Sequence, residues 1–154
     1  MKLLFIILFS AYGIFAQTLL NNPESVEYDA FNKRYFISNY GDGSIVQIDS
    51  NGIESYFDTT LTQVCALHIV GDTLYAAANK EPYIGIAGYN IKNDSLVLFI
   101  QIETSVFIND ITSNPAGILF VTDYYDNKIY RVNKDSLSYS LLCSQGLAMP
   151  NGIL

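Results

Sequence analysis

The stretch FISNYGDGSIVQID, at residues 36–49, decides the fold because it recurs later in the chain. It aligns without a gap on FVTDYYDNKIYRVN, which lies 84 residues further on, at residues 120–133. A weaker copy stands between them, with YAAA at residues 75–78 and, after a loop two residues longer, IAGYN at residues 86–90. Half of the 84-residue interval is 42 residues. A period of about 40–45 residues built from short β runs is typical of propeller blades, so the sequence predicts a β-propeller.

Each repeat divides into four short runs rich in Ile, Val, Tyr and Phe, and no segment keeps a 3.6-residue period over a helical length. The pairs Asp42-Gly43 and Asp126-Asn127 suit tight hairpins with positive φ. The predicted strands cover residues 24–29, 34–38, 44–49, 53–58, 64–70, 73–78, 83–89, 95–101, 109–113, 117–122, 128–132 and 137–143. The sequence thus predicts an all-β fold, with three four-stranded blades near residues 23–62, 63–107 and 108–149 and the start of a fourth at residues 150–154.

Three blades and a fragment of another do not close a ring, because closed propellers usually carry about four to eight blades. An open arc leaves apolar sheet faces uncovered at both ends, since each blade buries its faces only against its neighbours. We therefore expect the chain to be a truncated part of a six-bladed ring. The alternative is that two copies of the open half-ring associate and close a ring together.

The first 16 residues read as a signal peptide. Lys2 supplies a positive charge, residues 3–9 form an apolar core too short to span a bilayer, and Ala16 is a small residue suited to cleavage before Gln17. We expect an exported protein, periplasmic or extracellular, with no membrane attachment after cleavage.

The charge balance argues against two classes of partner. Without residues 1–16, which contain one lysine, the net charge falls from −7 to −8. Nucleic acid and anionic membranes both require a basic face, so neither is expected as a partner. An acidic surface is compatible with the binding of a cation.

Two cysteines could pair in an oxidising compartment, but their places in the repeat argue otherwise. Cys65 opens the innermost predicted strand of the second blade, whereas Cys143 ends the outermost strand of the third. A disulfide requires Cα atoms within about 7 Å. We therefore expect two buried thiols.

Alignment of the innermost strands places four residues at one equivalent position. These residues are separated by 41, 44 and 42 positions, and they are Glu24, Cys65, Asn109 and Asn151. Rotational symmetry would bring them together near the mouth of the central channel. Three of them carry side-chain oxygens, which are the ligands that a hard divalent cation prefers, and we expect calcium. The alternative is that Glu and Asn before a strand only form turns.

Three segments carry a resemblance to a known family: PESV at residues 23–26, NDITSNPAGILFVTD at residues 109–123 and PNGI at residues 150–153. They resemble the gluconolactonase/senescence-marker/luciferin-regenerating-enzyme family. That resemblance implies a six-bladed propeller with one divalent cation in its channel and hydrolysis of sugar lactones. It implies Glu24 and Asn151 as metal ligands and Asn109 as a substrate-binding residue. Parts of the motifs are shared with NHL-repeat and strictosidine-synthase-like propellers.

The sequence also departs from that family. The family's aspartate, a metal ligand and proposed general base, would lie beyond Leu154, so the catalytic residue is unknown. Phe107 stands where the family's lactone hydrolases often have a substrate-positioning arginine, and Cys65 replaces a polar channel residue. We predict an exported metal-dependent hydrolase of the sugar-lactone type acting on a small molecule, with no appreciable activity from these 154 residues alone. The alternative is a non-catalytic, NHL-repeat-like propeller that serves as a binding platform.

His68, the single histidine, occupies the position of Glu27 and Thr112 in the other repeats. We expect it on the polar face of its strand rather than as a zinc ligand or the base of a Cys–His pair. Asn39 and Asp123 end matching second strands and are expected to cap the turns that follow.

Overall fold

The computed structural model describes residues 18–80 and 83–153, and the predicted signal peptide lies outside these residues. The described residues form twelve strands and no helix, so no helix among them is long and apolar enough to cross a membrane. The strands are β1 (Pro23–Asp29), β2 (Arg34–Asn39), β3 (Ile45–Ile48), β4 (Glu54–Asp58), β5 (Val64–Val70), β6 (Thr73–Lys80), β7 (Tyr83–Asn90), β8 (Ser95–Gln101), β9 (Ile108–Ser113), β10 (Leu119–Asp123), β11 (Lys128–Asn133) and β12 (Ser138–Cys143).

The twelve strands form three separate four-stranded sheets, in the orders β1-β2-β3-β4, β5-β6-β7-β8 and β9-β10-β11-β12. Every pairing is antiparallel between strands adjacent in the sequence, so each sheet is a meander. We call these sheets blades 1, 2 and 3. The all-β prediction is confirmed, and each strand boundary lies within two residues of the predicted one.

The first strands of the three blades are neighbours, because β5 contacts both β1 and β9. One apolar core joins blades 1 and 2, and its larger members are Phe36, Ile45, Leu74, Tyr89 and Ile91. A second core joins blades 2 and 3, and its larger members are Tyr75, Ile86, Ile111, Leu119 and Tyr130. Successive residues of a strand point to opposite faces, so Leu74 and Tyr75 of β6 enter different cores. Blade 2 is therefore covered on both faces.

Blades 1 and 3 are each covered on one face only. Both blades expose large apolar side chains, among them Val26, Tyr28 and Tyr35 in blade 1 and Leu141 and Leu142 in blade 3. This pattern is the one expected when a blade buries its flanks only against neighbouring blades.

The expectation of two buried thiols holds for one cysteine and is wrong for the other. Cys65 is buried and Cys143 is half-buried, and both are free thiols. Cys143 ends β12, the outer strand of blade 3, in which every residue is exposed or half-buried. The outermost strand has no neighbouring strand on one side, which leaves this thiol partly open to solvent.

Arg34 connects blades 1 and 2. It is the first residue of β2, whereas Asn39 is the last. Its guanidinium donates to Asp29 (3.1 Å) within blade 1, and to Asp94 (2.8 Å) and the carbonyl of Ile91 (2.6 Å) in blade 2. It also lies 4.6 Å from the ring centroid of Phe36. Burial alone would raise the pKa of Asp29, but hydrogen bonds from Asn32 and Arg34 outweigh it and lower that pKa below the ordinary 3.8. Arg34 thus stabilises a buried carboxylate and the contact between two blades.

We expect Arg34→Ala to lower the free energy of unfolding by about 3 kcal/mol, because it leaves the buried Asp29 carboxylate without its cation. The check is urea unfolding followed by circular dichroism at pH 7, with Arg131→Ala, an exposed arginine of β11, as the matched control. The control is expected to change that free energy by no more than about 0.5 kcal/mol.

The same comparison should depend on pH in a definite direction. Since the pKa of Asp29 is lowered by folding, its stabilisation is present above the unfolded value of about 3.9 and is lost as the pH falls through the lower folded value. The difference between wild type and Arg34→Ala should persist at pH 5 and shrink in stronger acid. Equal stability of the two proteins at pH 7 would contradict this role of Arg34.

Candidate functional site

All four residues of the predicted ring line one cavity of about 200 Å³. Among the described residues, those that line the cavity are Glu24, Ser25, Cys65, Ala66, Asn109, Asp110, Asn151 and Gly152. We call it the mouth cavity. The residues that the repeat alignment placed at one equivalent position therefore lie together in the structure. The roles assigned to Glu24, Asn109 and Asn151 stay predictions.

The lining residues come in pairs because each inner strand carries a β-bulge at this position. In β9, Asn109 and Asp110 together oppose the single residue Thr122, since the register passes from Ile108↔Asp123 to Ile111↔Val121. In blade 2, Cys65 and Ala66 together oppose the single residue Ala77. In blade 1, Glu24 is the extra residue between the paired residues Pro23 and Ser25. A bulge turns side chains out of the ordinary alternation, so two successive residues of each strand reach the mouth cavity.

Hydroxyl groups of the second strands stabilise two of these bulges. The Ser25 N–H donates to Ser38 Oγ in blade 1, and the Asp110 N–H donates to Thr122 Oγ1 in blade 3, both at 3.0 Å. Blade 2 has Ala77 at this place, which has no hydroxyl. Ser38 Oγ instead donates across to the Cys65 carbonyl at 2.8 Å, so blade 1 supports the bulge of blade 2.

A buried polar side chain at or near the end of each second strand anchors the backbone that leads into an inner strand. Asn39 accepts from the Asn21 N–H at 2.9 Å, and Asp123 accepts from the Phe107 N–H at 3.1 Å. Asn79 does so between blades: its Oδ1 accepts from the Ile108 N–H and its Nδ2 donates to the Ile108 carbonyl, each at 2.7 Å. These side chains thus hold the leading segments of blades as well as local turns.

The sequence reasoning identified Asn39 and Asp123 but missed Asn79. The weak second copy was matched as YAAA against FISN, which sets Ala78 opposite Asn39 and leaves Asn79 one place beyond it. A polar residue directly after three alanines in a strand was the signal that could have found it.

Asp110, which lines the mouth cavity, is a second residue that the sequence reasoning missed. Its Oδ2 accepts from the Ile153 N–H at 2.8 Å, which holds residues 151–153 beside β9, and its Oδ1 accepts from the Ile111 N–H at 2.9 Å. Simple alternation along β9 assigns Asn109 and Asp110 to opposite faces, and only the bulge places both at the cavity.

Cys65 contributes a neutral thiol to this cavity. Burial, together with the negative charge of Glu24, raises its pKa to about 12. The thiol is therefore protonated at neutral pH and is neither an anionic metal ligand nor a reactive nucleophile. Among the described residues, no three or more His, Cys, Asp and Glu side chains cluster so as to hold a metal ion. A cation here would depend on carboxylate and amide oxygens together.

Aromatic side chains gather at the same end of the blades. Phe107 lies just before β9, with its ring centroid 6.3 Å from that of Tyr40 and 5.2 Å from that of Tyr125. Tyr124 packs on Tyr125 at 5.0 Å. We call these four residues the aromatic rim. Phe107 thus belongs to an aromatic surface rather than to a charged one.

The structure places His68 between two other blades and gives it no described contact with Cys65. Its Nε2 lies 2.9 Å from Ser113 Oγ, and its Nδ1 lies 3.4 Å from Glu27 Oε1. The expected polar surroundings are confirmed. In blade 1, the residue that contacts His68 is Glu27, which occupies the equivalent position of the repeat. In blade 3, the residue that contacts His68 is Ser113 rather than Thr112, which is aligned with it.

Solved structures show the same fold at low sequence identity. Virginiamycin B lyase from Staphylococcus aureus has a TM-score of 0.64 and 18% identity over 77% of this chain and 40% of that one. A chain of a nidogen/laminin complex has a TM-score of 0.69 and 18% identity over 84% and 51%. Kuenenia stuttgartiensis hydrazine synthase has a TM-score of 0.71 and 16% identity over 90% and 40%.

The neighbours are β-propeller proteins, and this chain has part of a β-propeller fold. It spans about two fifths to one half of the length of these chains. The sequence matches no protein-family model and is significantly similar to no curated protein. The comparisons therefore show the fold alone.

The anchoring role of Asn79 predicts a large loss of stability on its removal. Asn79→Ala leaves the buried N–H and carbonyl of Ile108 without side-chain partners, which should lower the free energy of unfolding by about 2 kcal/mol. Urea unfolding measures the change, with the exposed Asn51→Ala as the control, expected to alter it by less than about 0.5 kcal/mol. A value for Asn79→Ala as small as that of Asn51→Ala would contradict the anchor.

Proposed function

We propose that the mouth cavity binds one divalent cation, calcium by preference, in an exported propeller hydrolase of the sugar-lactone type. Glu24 and Asn151 would be metal ligands and Asn109 would contact the substrate. The observation that carries the proposal is that β-bulges in blades 1 and 3 turn side-chain oxygens toward a single cavity, which Asn151 of the last described segment also lines.

The charge of the mouth cavity supports a cation. Glu24 and Asp110 bring two carboxylates, whereas no lysine, arginine or histidine stands among the described residues that line it. Each oxygen of Asp110 accepts one backbone N–H and retains a second lone pair. Carboxylate and amide oxygens at about 2.3–2.6 Å are the ligands that calcium takes in proteins.

The chemistry of the donor set fits a Lewis-acid site. A divalent cation, when bound, polarises an ester carbonyl and so favours hydrolysis. The amide oxygens of Asn109 and Asn151 are neutral, so they would complete the coordination without cancelling the charge of the cation. The aromatic rim at the same end of the blades offers apolar faces on which a sugar ring can stack.

Calcium should stabilise the protein through Glu24. If the dissociation constant is about 1 mM, as in weak extracellular calcium modules, 10 mM calcium should add about 1.4 kcal/mol to the free energy of unfolding. We expect a rise of several degrees in the melting temperature of the wild type and little or no rise in Glu24→Gln. Thermal unfolding with calcium, magnesium and a chelator makes the measurement.

The matched control is Glu103→Gln, which removes the same charge from an exposed residue outside the cavity. It should keep the calcium response of the wild type. A response of equal size in wild type, Glu24→Gln and Glu103→Gln would show that calcium acts on general surface charge and would overturn the site.

Lactone hydrolysis is a separate prediction. The described residues that line the mouth cavity provide no assigned general base, so this chain should bind calcium without appreciable calcium-dependent turnover of sugar lactones. A longer chain that supplies the aspartate of the resembling family should hydrolyse them, and Glu24→Gln should abolish that activity. Hydrolysis of a sugar lactone by the purified 154-residue polypeptide that disappears in Glu24→Gln would contradict the first expectation.

The second candidate is a non-catalytic binding platform, and the aromatic rim is the observation that favours it. Tyr125 is 62% exposed, and Phe107 replaces the arginine expected in a lactone hydrolase. Exposed aromatic residues are typical anchors of binding surfaces. The absence of a calcium response through Glu24, combined with no lactone hydrolysis by the longer chain, would favour this candidate.

A further inference from the structure

A second polar constellation lies on the same inner strands, away from the mouth cavity. His68 of β5 has Ser113 of β9 on one side, with Nε2 and Oγ 2.9 Å apart. On the other side Glu27 of β1 places its Oε1 3.4 Å from His68 Nδ1. One residue from each of the three blades therefore contributes to a cluster in which the imidazole lies between a hydroxyl and a carboxylate. Glu27 and His68 each follow their cavity residue by three positions, which at about 3.3 Å per residue is a distance of about 10 Å.

The carboxylate beside Nδ1 favours one tautomer of the histidine, through a contact of 3.4 Å that is longer than an ordinary hydrogen bond. A carboxylate accepts hydrogen bonds only, so the facing Nδ1 should carry the ring proton. Nε2 is then free to accept from the Ser113 hydroxyl. A hydroxyl nucleophile next to a base that a third group orients is the arrangement that activates serine in hydrolases on unrelated folds.

The constellation is also open to a reagent. The side chains of His68 and Glu27 are 23% and 27% exposed, and Ser113 is half-buried. Because His68 is the single histidine of the sequence, no other serine can have such a partner. The three residues are therefore accessible to small molecules while being held by their mutual contacts.

We propose that Ser113 is a nucleophile that accepts an acyl group from small carboxylic esters, with His68 as its general base and Glu27 as the residue that positions the imidazole. This activity goes beyond the proposed cation site and requires none of its ligands.

The reaction balances without a further reactant other than water. Ser113 Oγ attacks the ester carbonyl carbon and its proton passes to His68 Nε2, which gives that proton to the leaving alcohol as the ester C–O bond breaks. Water then attacks the acyl-serine, its proton passes to His68 Nε2, and the same proton returns to Ser113 Oγ as the carboxylic acid leaves.

The test is covalent labelling of the purified protein with a fluorophosphonate, which forms a serine O–P bond and releases fluoride. Intact-mass and fragment spectra should show one adduct, on Ser113, and none in Ser113→Ala.

His68→Gln should slow labelling about 100-fold, the usual contribution of a general base. Glu27→Gln should also slow it, because the amide no longer favours the required tautomer. Where circular dichroism shows that His68→Gln does not fold, Glu27→Gln supplies the comparison.

Ser138→Ala, which removes an exposed serine of β12, is the matched control and should label like the wild type. A chelator should also leave labelling unchanged, so failure of the cation site and failure of this proposal give different results. The proposal is overturned if Ser113 of the wild type carries no adduct. It is equally overturned if a folded His68→Gln protein labels as fast as the wild type. If His68→Gln does not fold, the same result for folded Glu27→Gln overturns it.

Discussion

The two hydrogen bonds between the Asn79 side chain and the backbone of Ile108 fix where blade 3 begins relative to blade 2. Asn39 and Asp123 hold the segments that lead into blades 1 and 3 in the same way. These three side chains are almost completely buried, so a shift of any leading segment would leave polar groups unpaired away from water. The inner strands therefore start at fixed heights, and their side chains come into register around the channel.

The two proposed sites depend on that register. At the start of the inner strands the bulges gather Glu24, Asn109 and Asp110 into one acidic cavity, the proposed cation site. About three residues further along, where the ordinary alternation has resumed, Glu27 and Ser113 flank His68. The apolar cores on both faces of blade 2 hold these strands together, so both sets depend on the packing of the central blade.

The 42-residue period was sufficient to place every strand and to predict that Glu24, Cys65, Asn109 and Asn151 share one site. It could not reveal Asp110, because a bulge breaks the alternation from which side-chain direction is inferred. It could not pair His68 with Ser113 either, because alignment equates His68 with Thr112 and contacts across blades need not follow equivalent positions. Cys143 was wrongly expected to be buried, since a repeat gives a residue's strand but not the cover that the strand receives.

The central claim is that the blades wind about a common axis and bring the starts of their inner strands together. Spin labels at Glu24→Cys and Asn109→Cys, in a chain with Cys65→Ala and Cys143→Ala, test it most directly through their dipolar coupling in frozen solution. We predict marked broadening relative to the two singly labelled proteins. A doubly labelled spectrum equal to the sum of the single spectra would place the two residues on separate walls and contradict the account.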